Sequence, residues 1–160
     1  MSEKGVMTVS SMQTDQPLLT AAGRRDVQTR LDRAQRALAQ LSQRMIDAER
    51  TSDEIAQHRR IQNQVEELTT ILRQATDITA VEEDPTIVEV GDEVDLEDPD
   101  GEVDTYAVVH PAEARISDGR ISSTSPLGRA VLGARVGDHV LVEAPAGTYR
   151  CLVRDRRRLN

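Results

Sequence analysis

Aromatic side chains are almost missing from this chain: Tyr106 and Tyr149 stand alone, with no Phe and no Trp. Proteins that bind single strands or RNA loops stack bases on aromatic rings, and that route is closed here. The formal net charge of −8 argues the same way, because a phosphate backbone attracts cations and repels an acidic surface. Direct nucleic-acid binding is not expected. Cys151 is the single cysteine, so no internal disulfide can form, which suits a reducing compartment. It lies between Tyr149 and Val153 in an alternating pattern and reads as a small buried core residue. No apolar run is long enough to span a bilayer, and residues 1–16 lack the apolar centre of a signal peptide. A cytoplasmic protein without membrane contact is expected. His58, His110 and His139 are scattered without ligand spacing, so no zinc site is expected.

Charge is present but unevenly spread. Thirteen Asp or Glu and no Lys or Arg lie between Asp77 and His110, whereas the C-terminus ends in Arg154-Asp-Arg-Arg-Arg158. In Glu93-Val-Asp-Leu-Glu97 and Glu102-Val-Asp104 the acids alternate with apolar residues, as on a half-buried strand. Two readings stand: a solvated strand surface, or an acidic face that meets a basic partner.

Residues 1–17 are polar, contain Pro17 and show no periodicity, which predicts a flexible tail. Thr20 can then cap a helix. From there Val27, Leu31, Ala34, Leu38, Leu41, Met45 and Ala48 recur at alternating spacings of four and three, a heptad seam. Ile61, Val65, Leu68, Leu72 and Ala75 form a second seam. The polar link Glu49-Arg-Thr-Ser-Asp-Glu54 joins them, with Ser52 placed to cap the second helix. Two apolar stripes joined by a short link predict an antiparallel helical hairpin. A helical pair that dimerises with another copy is the alternative, although no buried Asn specifies such a partner.

Asp84-Pro85 marks a boundary. Strands are expected near Ile87–Val90, Glu93–Leu96, Val103–Val109, His139–Glu143 and Tyr149–Val153, with turns at Asp98-Pro-Asp-Gly101 and Pro145-Ala-Gly147. Ser125-Pro126 opens a short helix whose apolar residues are Leu127, Ala130, Val131 and Leu132, and Gly133 can end it. The fold class is α+β: a coiled-coil hairpin over 18–80, then a small antiparallel sheet with one short helix over 81–160.

The run Ile121-Ser-x-x-Ser-Pro-Leu-Gly-Arg-Ala-x-Leu-Gly133, followed by Gly137-Asp138 and Pro145-x-Gly147, resembles the C-terminal domain of the bacterial Gre transcription factors. Leu18-Leu-Thr-Ala-Ala-Gly23 resembles the start of their first helix. The resemblance implies an FKBP-like domain without prolyl isomerase activity, docking at the rim of the RNA polymerase secondary channel while the hairpin enters it. It implies docking residues at Thr124, Ser125 and Pro126. In that family an acid or Asn often stands where this chain has Thr124.

In Gre factors, two acids at the hairpin tip complete the coordination of the polymerase's second catalytic Mg²⁺, so the factor itself is not an enzyme and holds no cofactor of its own. The family's tip reads Asp, two residues, Glu-Asn, then Glu-Tyr, and this chain does not contain that motif. With Arg60 aligned to the arginine that follows the tip, Glu49 falls at the first acid and Ser52 at the second. Asp47, Glu49, Asp53 and Glu54 are therefore the candidate tip acids, out of the family's spacing. The other reading of Asp53 and Glu54 is anions favoured by a helix N-terminus. Arg44, Arg50, Arg59 and Arg60 either form the family's basic patch near the RNA or are ordinary exposed heptad residues.

A polymerase-binding monomer that modulates transcription, inhibiting it, is the expectation, with RNA or DNA met only within the complex. A transcript-cleavage factor with a rearranged tip is the alternative. A coiled-coil scaffold without polymerase contact is another.

Overall fold

The structure, a computed structural model, describes residues 16–47, 50–80 and 84–159, apart from the side chain of Asp47. The expected tail therefore lies outside the described residues except for Gln16 and Pro17, as do Ala48 and Glu49.

Thr20 caps helix α1 (Ala21–Asp47) by accepting from the Gly23 N–H at 2.8 Å. Val27, Leu31, Ala34 and Leu41 are buried along it, and Leu38 and Met45 are half-buried. Helix α2 (Ser52–Gln74) buries Leu68 and half-buries Ile61, Val65 and Leu72. The two stripes cover each other, as the heptad spacing predicts. The cap of α2 is Thr51 rather than Ser52. Thr51 Oγ1 accepts from the Glu54 N–H, and the Glu54 carboxylate reaches back to the Thr51 N–H. Arg24 of α1 closes the other end of α2 by donating to the carbonyls of Leu72 (3.4 Å) and Ala75 (2.9 Å). Below the hairpin, β1 (Leu18–Leu19) pairs in parallel with β2 (Thr76–Asp77), and a 3₁₀ turn (Ile78–Ala80) buries Ile78.

The second unit is a five-stranded sheet in the order β5–β4–β3–β7–β6. Its strands are β3 (Asp92–Glu97), β4 (Val103–Val109), β5 (Arg120–Ser122), β6 (His139–Ala144) and β7 (Gly147–Arg158). All neighbouring pairs are antiparallel except β4–β5, an edge pair absent from the expected antiparallel sheet. Both expected turns form. The expected strand at Ile87–Val90 does not: Val88 exchanges backbone hydrogen bonds with Gly133 and Ala134 instead, at 2.9 and 2.8 Å. It thereby ties the end of helix α3 (Pro126–Val131) to the sheet. Val131 packs with Val88, Val94, Val108, Val142, Val153 and Cys151 in one cluster. Each such valine contributes about 1.5–3 kcal/mol by leaving water.

The acidic run has a basic partner within the chain. On β3, Asp92, Val94 and Leu96 face inward and Glu93, Asp95 and Glu97 face outward. β7 runs beside them to Arg158, five residues beyond the expected strand. Arg157 binds Glu93 at 2.8 Å and Asp95 at 3.1 Å, and Arg154 pairs with Glu97. The Arg157 bonds, with a hydrogen bond from Thr105, hold Asp95 below the usual carboxylate range. Asp92 is fully buried and binds Arg156 at 3.0 Å and Arg158 at 3.1 Å.

Candidate functional site

Two regions carry the residues that the sequence singles out, and they share no residue. The first is the hairpin tip. Helix α1 ends at Asp47, with Arg44 in its last turn. Arg50 then donates from Nε to the Met45 carbonyl at 3.3 Å. Glu54 Oε2 accepts from both the N–H and the hydroxyl of Thr51, at 3.1 and 3.0 Å. These bonds, with the Arg44 charge nearby, lower the Glu54 pKa below its ordinary value. Glu54 is thus engaged in the capping box, while Asp53 is exposed in the same first turn, where the helix dipole favours an anion. Ser52 is exposed and offers no charge. Among the described residues, which leave out Glu49 and the Asp47 side chain, no three His, Cys, Asp or Glu groups gather as metal ligands.

The same tip presents apolar surface. Ile46 is 70% exposed and Ile55 45%. They border an open hollow of about 440 Å³ with Met45, Arg50, Ser42 and His58. Ser42 Oγ and His58 Nε2, 3.0 Å apart, link the two arms there. Arg44, Arg50, Arg59 and Arg60 are all exposed. Arg44 and Arg50 flank the turn, and Arg59 and Arg60 lie further along α2.

The second region surrounds the start of α3. Ser125 Oγ accepts from the Gly128 N–H at 3.1 Å and donates to the Ser122 carbonyl at 2.7 Å. Its hydroxyl is therefore committed to shaping the loop, so Ser125 positions its neighbours rather than presenting a free polar group. Gly128 is required by the same loop, since a Cβ there would stand 2.0 Å from the Ser122 carbonyl oxygen. The Thr124 side chain is exposed, bonded to Ser122 Oγ at 2.9 Å, and its carbonyl is held by Arg129 at 2.8 Å. Thr124, Ser125 and Pro126 thus form a fixed, outward-facing corner.

Beside that corner lies a groove of about 670 Å³ that sequence reasoning missed. Pro126, Leu127, Tyr106, Tyr149, Ile116 and Val142 line it, and Ile116 is 85% exposed. Both aromatic residues of the chain meet here. Burial raises both phenol pKa values, with Asp104 adding to the effect at Tyr106. The signal was the scarcity itself: in a chain with two tyrosines, both stand on strands near the loop and their polar tips suit a partly wet surface. Asp98, Asp100 and Asp104 border the adjoining hollow, so one flank of the apolar groove is acidic. An exposed apolar surface rimmed by charge is what a protein-docking face requires.

Residues 83–155 match the family described as "Transcription elongation factor, GreA/GreB, C-term". The chain is 40% identical over 88 residues to transcription elongation factor GreA of Geobacillus kaustophilus, covering 54% of this chain and 56% of that protein. It is 51% identical over 65 residues to transcription elongation factor GreA of Thermomicrobium roseum, covering 41% of each. The chain thus spans about half the length of the curated relatives it matches. Among solved structures it is similar to the GreA factor homolog 1 (Gfh1) protein of Thermus thermophilus, at 30% identity and a TM-score of 0.41. That likeness covers 89% of this chain and 99% of the other.

Proposed function

The chain belongs to the GreA/GreB transcription factor family, and on that premise we propose that it binds RNA polymerase and inhibits transcription from within the secondary channel. The groove beside Thr124–Pro126 docks on the channel rim, and the hairpin enters the channel. At a rise of about 1.5 Å per residue, the 27 residues of α1 give an arm about 40 Å long. The protein works in the cytoplasm as a monomer, is not an enzyme, holds no cofactor of its own and meets RNA or DNA only within the complex.

The state of Glu54 carries the inhibitory reading. Cleavage of backtracked RNA needs two carboxylates held at one hard cation, which tolerates little error in their placement. Here Glu54 is engaged by Thr51, Ser52 is neutral, and the surface beside them is formed by Ile46, Met45 and Ile55. Such a tip supports obstruction of nucleotide access and disturbance of the active-site metal rather than its completion. A cleavage assay on stalled polymerase complexes tests this. Little or no stimulation of RNA cleavage is expected at saturating protein. Robust cleavage would overturn inhibition and leave the chain a cleavage factor with a rearranged tip.

A further inference from the structure

We propose that Glu113 is the positioning residue that sets the hairpin's angle to the docking domain, through a buried latch that touches neither the dock nor the tip. The functional half of this inference rests on the reading above; the geometric half does not.

Glu113 ends a 3₁₀ turn (Pro111–Glu113) in the sheet domain, yet its carboxylate is buried against the hairpin, with the residue 3% exposed. Oε1 accepts from the Thr20 N–H at 2.8 Å. Oε2 accepts from the Thr20 hydroxyl at 2.7 Å and from Arg120 Nη2 at 2.6 Å. Arg120 also reaches Thr20 Oγ1 at 3.1 Å. Thr20 is at the same time the cap of α1. One carboxylate of the docking domain therefore holds the first turn of the hairpin's first arm, at the end where the helix dipole favours an anion.

Gly23 is the independent sign that this contact is built in. A Cβ at that position would stand 1.8 Å from Glu113 Cδ. Glycine costs about 0.5–1 kcal/mol in a helix relative to alanine, and the close approach of Glu113 accounts for its place there.

The latch matters because the chain crosses from the hairpin to the sheet domain only once among the described residues. The chain passes from α2 into the sheet domain through Ile78, whose carbonyl accepts from Arg158 at 3.0 Å. A single tether fixes position and leaves angle free. Glu113–Thr20 supplies a second point, beside the Arg30 Nη1 bond to the Ala112 carbonyl at 2.8 Å and Ala112 packed on Val27, Leu31 and Leu68; of these contacts Glu113 is the buried charged one. The accompanying Arg115–Asp26 pair is exposed and adds little by itself. For an arm about 40 Å long, a rotation of about 15° at its base moves the tip about 10 Å. Such a displacement separates a seated tip from an idle one.

The test uses the full chain labelled at Ser52→Cys and Arg135→Cys, both exposed sites, with spin-label distances measured in the free protein. The parent should give one narrow distribution. Glu113→Ala should broaden or shift it while the melting of the sheet domain and the helix content stay as in the parent. Gly23→Ala attacks the latch from the hairpin side without substituting a residue of the sheet domain, and it decides the matter should Glu113→Ala impair folding. It should reproduce the broadening although alanine favours the helix. A narrow, unshifted distribution in Gly23→Ala would overturn the proposal.

In transcription, both variants should bind polymerase as the parent does and lose about tenfold or more of its effect, as misplacement of a working group does. A broadened distribution with an undiminished effect would overturn the positioning role. Failure of the parent to bind polymerase would sink the functional reading and the functional half of this inference, while the distances still judge the latch.

Discussion

His110 shows how one side chain couples local geometry to pH. Its Nδ1 accepts from the Ala112 N–H at 3.2 Å and so caps the turn that carries Glu113. That bond requires a neutral ring nitrogen. Burial lowers its pKa below the ordinary 6.5, and the nearby Glu113 charge offsets part of that. Between the lowered value and 6.5 the unfolded chain binds the proton and the folded one does not, so stability rises with pH there. The contribution is fully present above 6.5 and is lost as pH falls through the lower, folded value. Denaturant midpoints from pH 4 to 8 should show this slope, and His110→Asn, which can still cap, should flatten it. Asp92 is a buried carboxylate paired with Arg156 and Arg158. Removing one member of a buried ion pair costs about 3–5 kcal/mol, and Asp92→Ala should lose that much in urea unfolding. Residue-scale features were legible where the signal is local. Thr51-x-x-Glu54 is a capping-box pattern, and weighing it would have chosen Thr51 over Ser52. Glu113 was not legible, because its partner Thr20 is 93 positions away and no spacing rule reaches that far.

Among the elements, the hairpin was the most legible because a heptad stripe has one simple way to leave water. Leu68 is the most buried residue of α2, at 2% exposure, and packs with Val27 and Leu31. Leu68→Ala should destabilise the hairpin by about 2–5 kcal/mol in helical unfolding, and Leu38→Ala by less, since Leu38 is only half-buried. The sheet was legible where apolar alternation holds, in β3 and β6. It failed at both kinds of exception. Val88 is apolar and buried but pairs with the segment after α3, so Ile87–Val90 forms no strand. Arg154 to Arg158 are polar throughout yet continue β7, because acids of β3 pair with its arginines: Glu97 with Arg154, Asp92 with Arg156 and Arg158, and Glu93 and Asp95 with Arg157. Ile121 was given no strand by the sequence, because its three-residue strand β5 is too short to show a period.

For the whole molecule, the separation of the two regions is the functional statement. The docking groove and the tip share no residue, so binding and effect should be separable by mutation. Ile116 is the best probe of the groove, because a residue 85% exposed contributes little to folding. Ile116→Asp should weaken polymerase binding by about tenfold or more, as loss of an apolar anchor at an interface centre does, with an unchanged melting curve. A binding titration with core polymerase reads this, and unchanged affinity would remove the groove as the dock.

The central claim is that the docked protein acts through a rigid hairpin that obstructs the channel. The most direct measurement is the rate of single-nucleotide addition by core polymerase as the protein is titrated to saturation, beside its Leu38→Asp variant. A charge in the seam should splay the arms and leave the docking domain intact. The account predicts that the parent slows addition and that the variant binds without slowing it. An unchanged rate with the parent fully bound, or equal slowing by the variant, would contradict it.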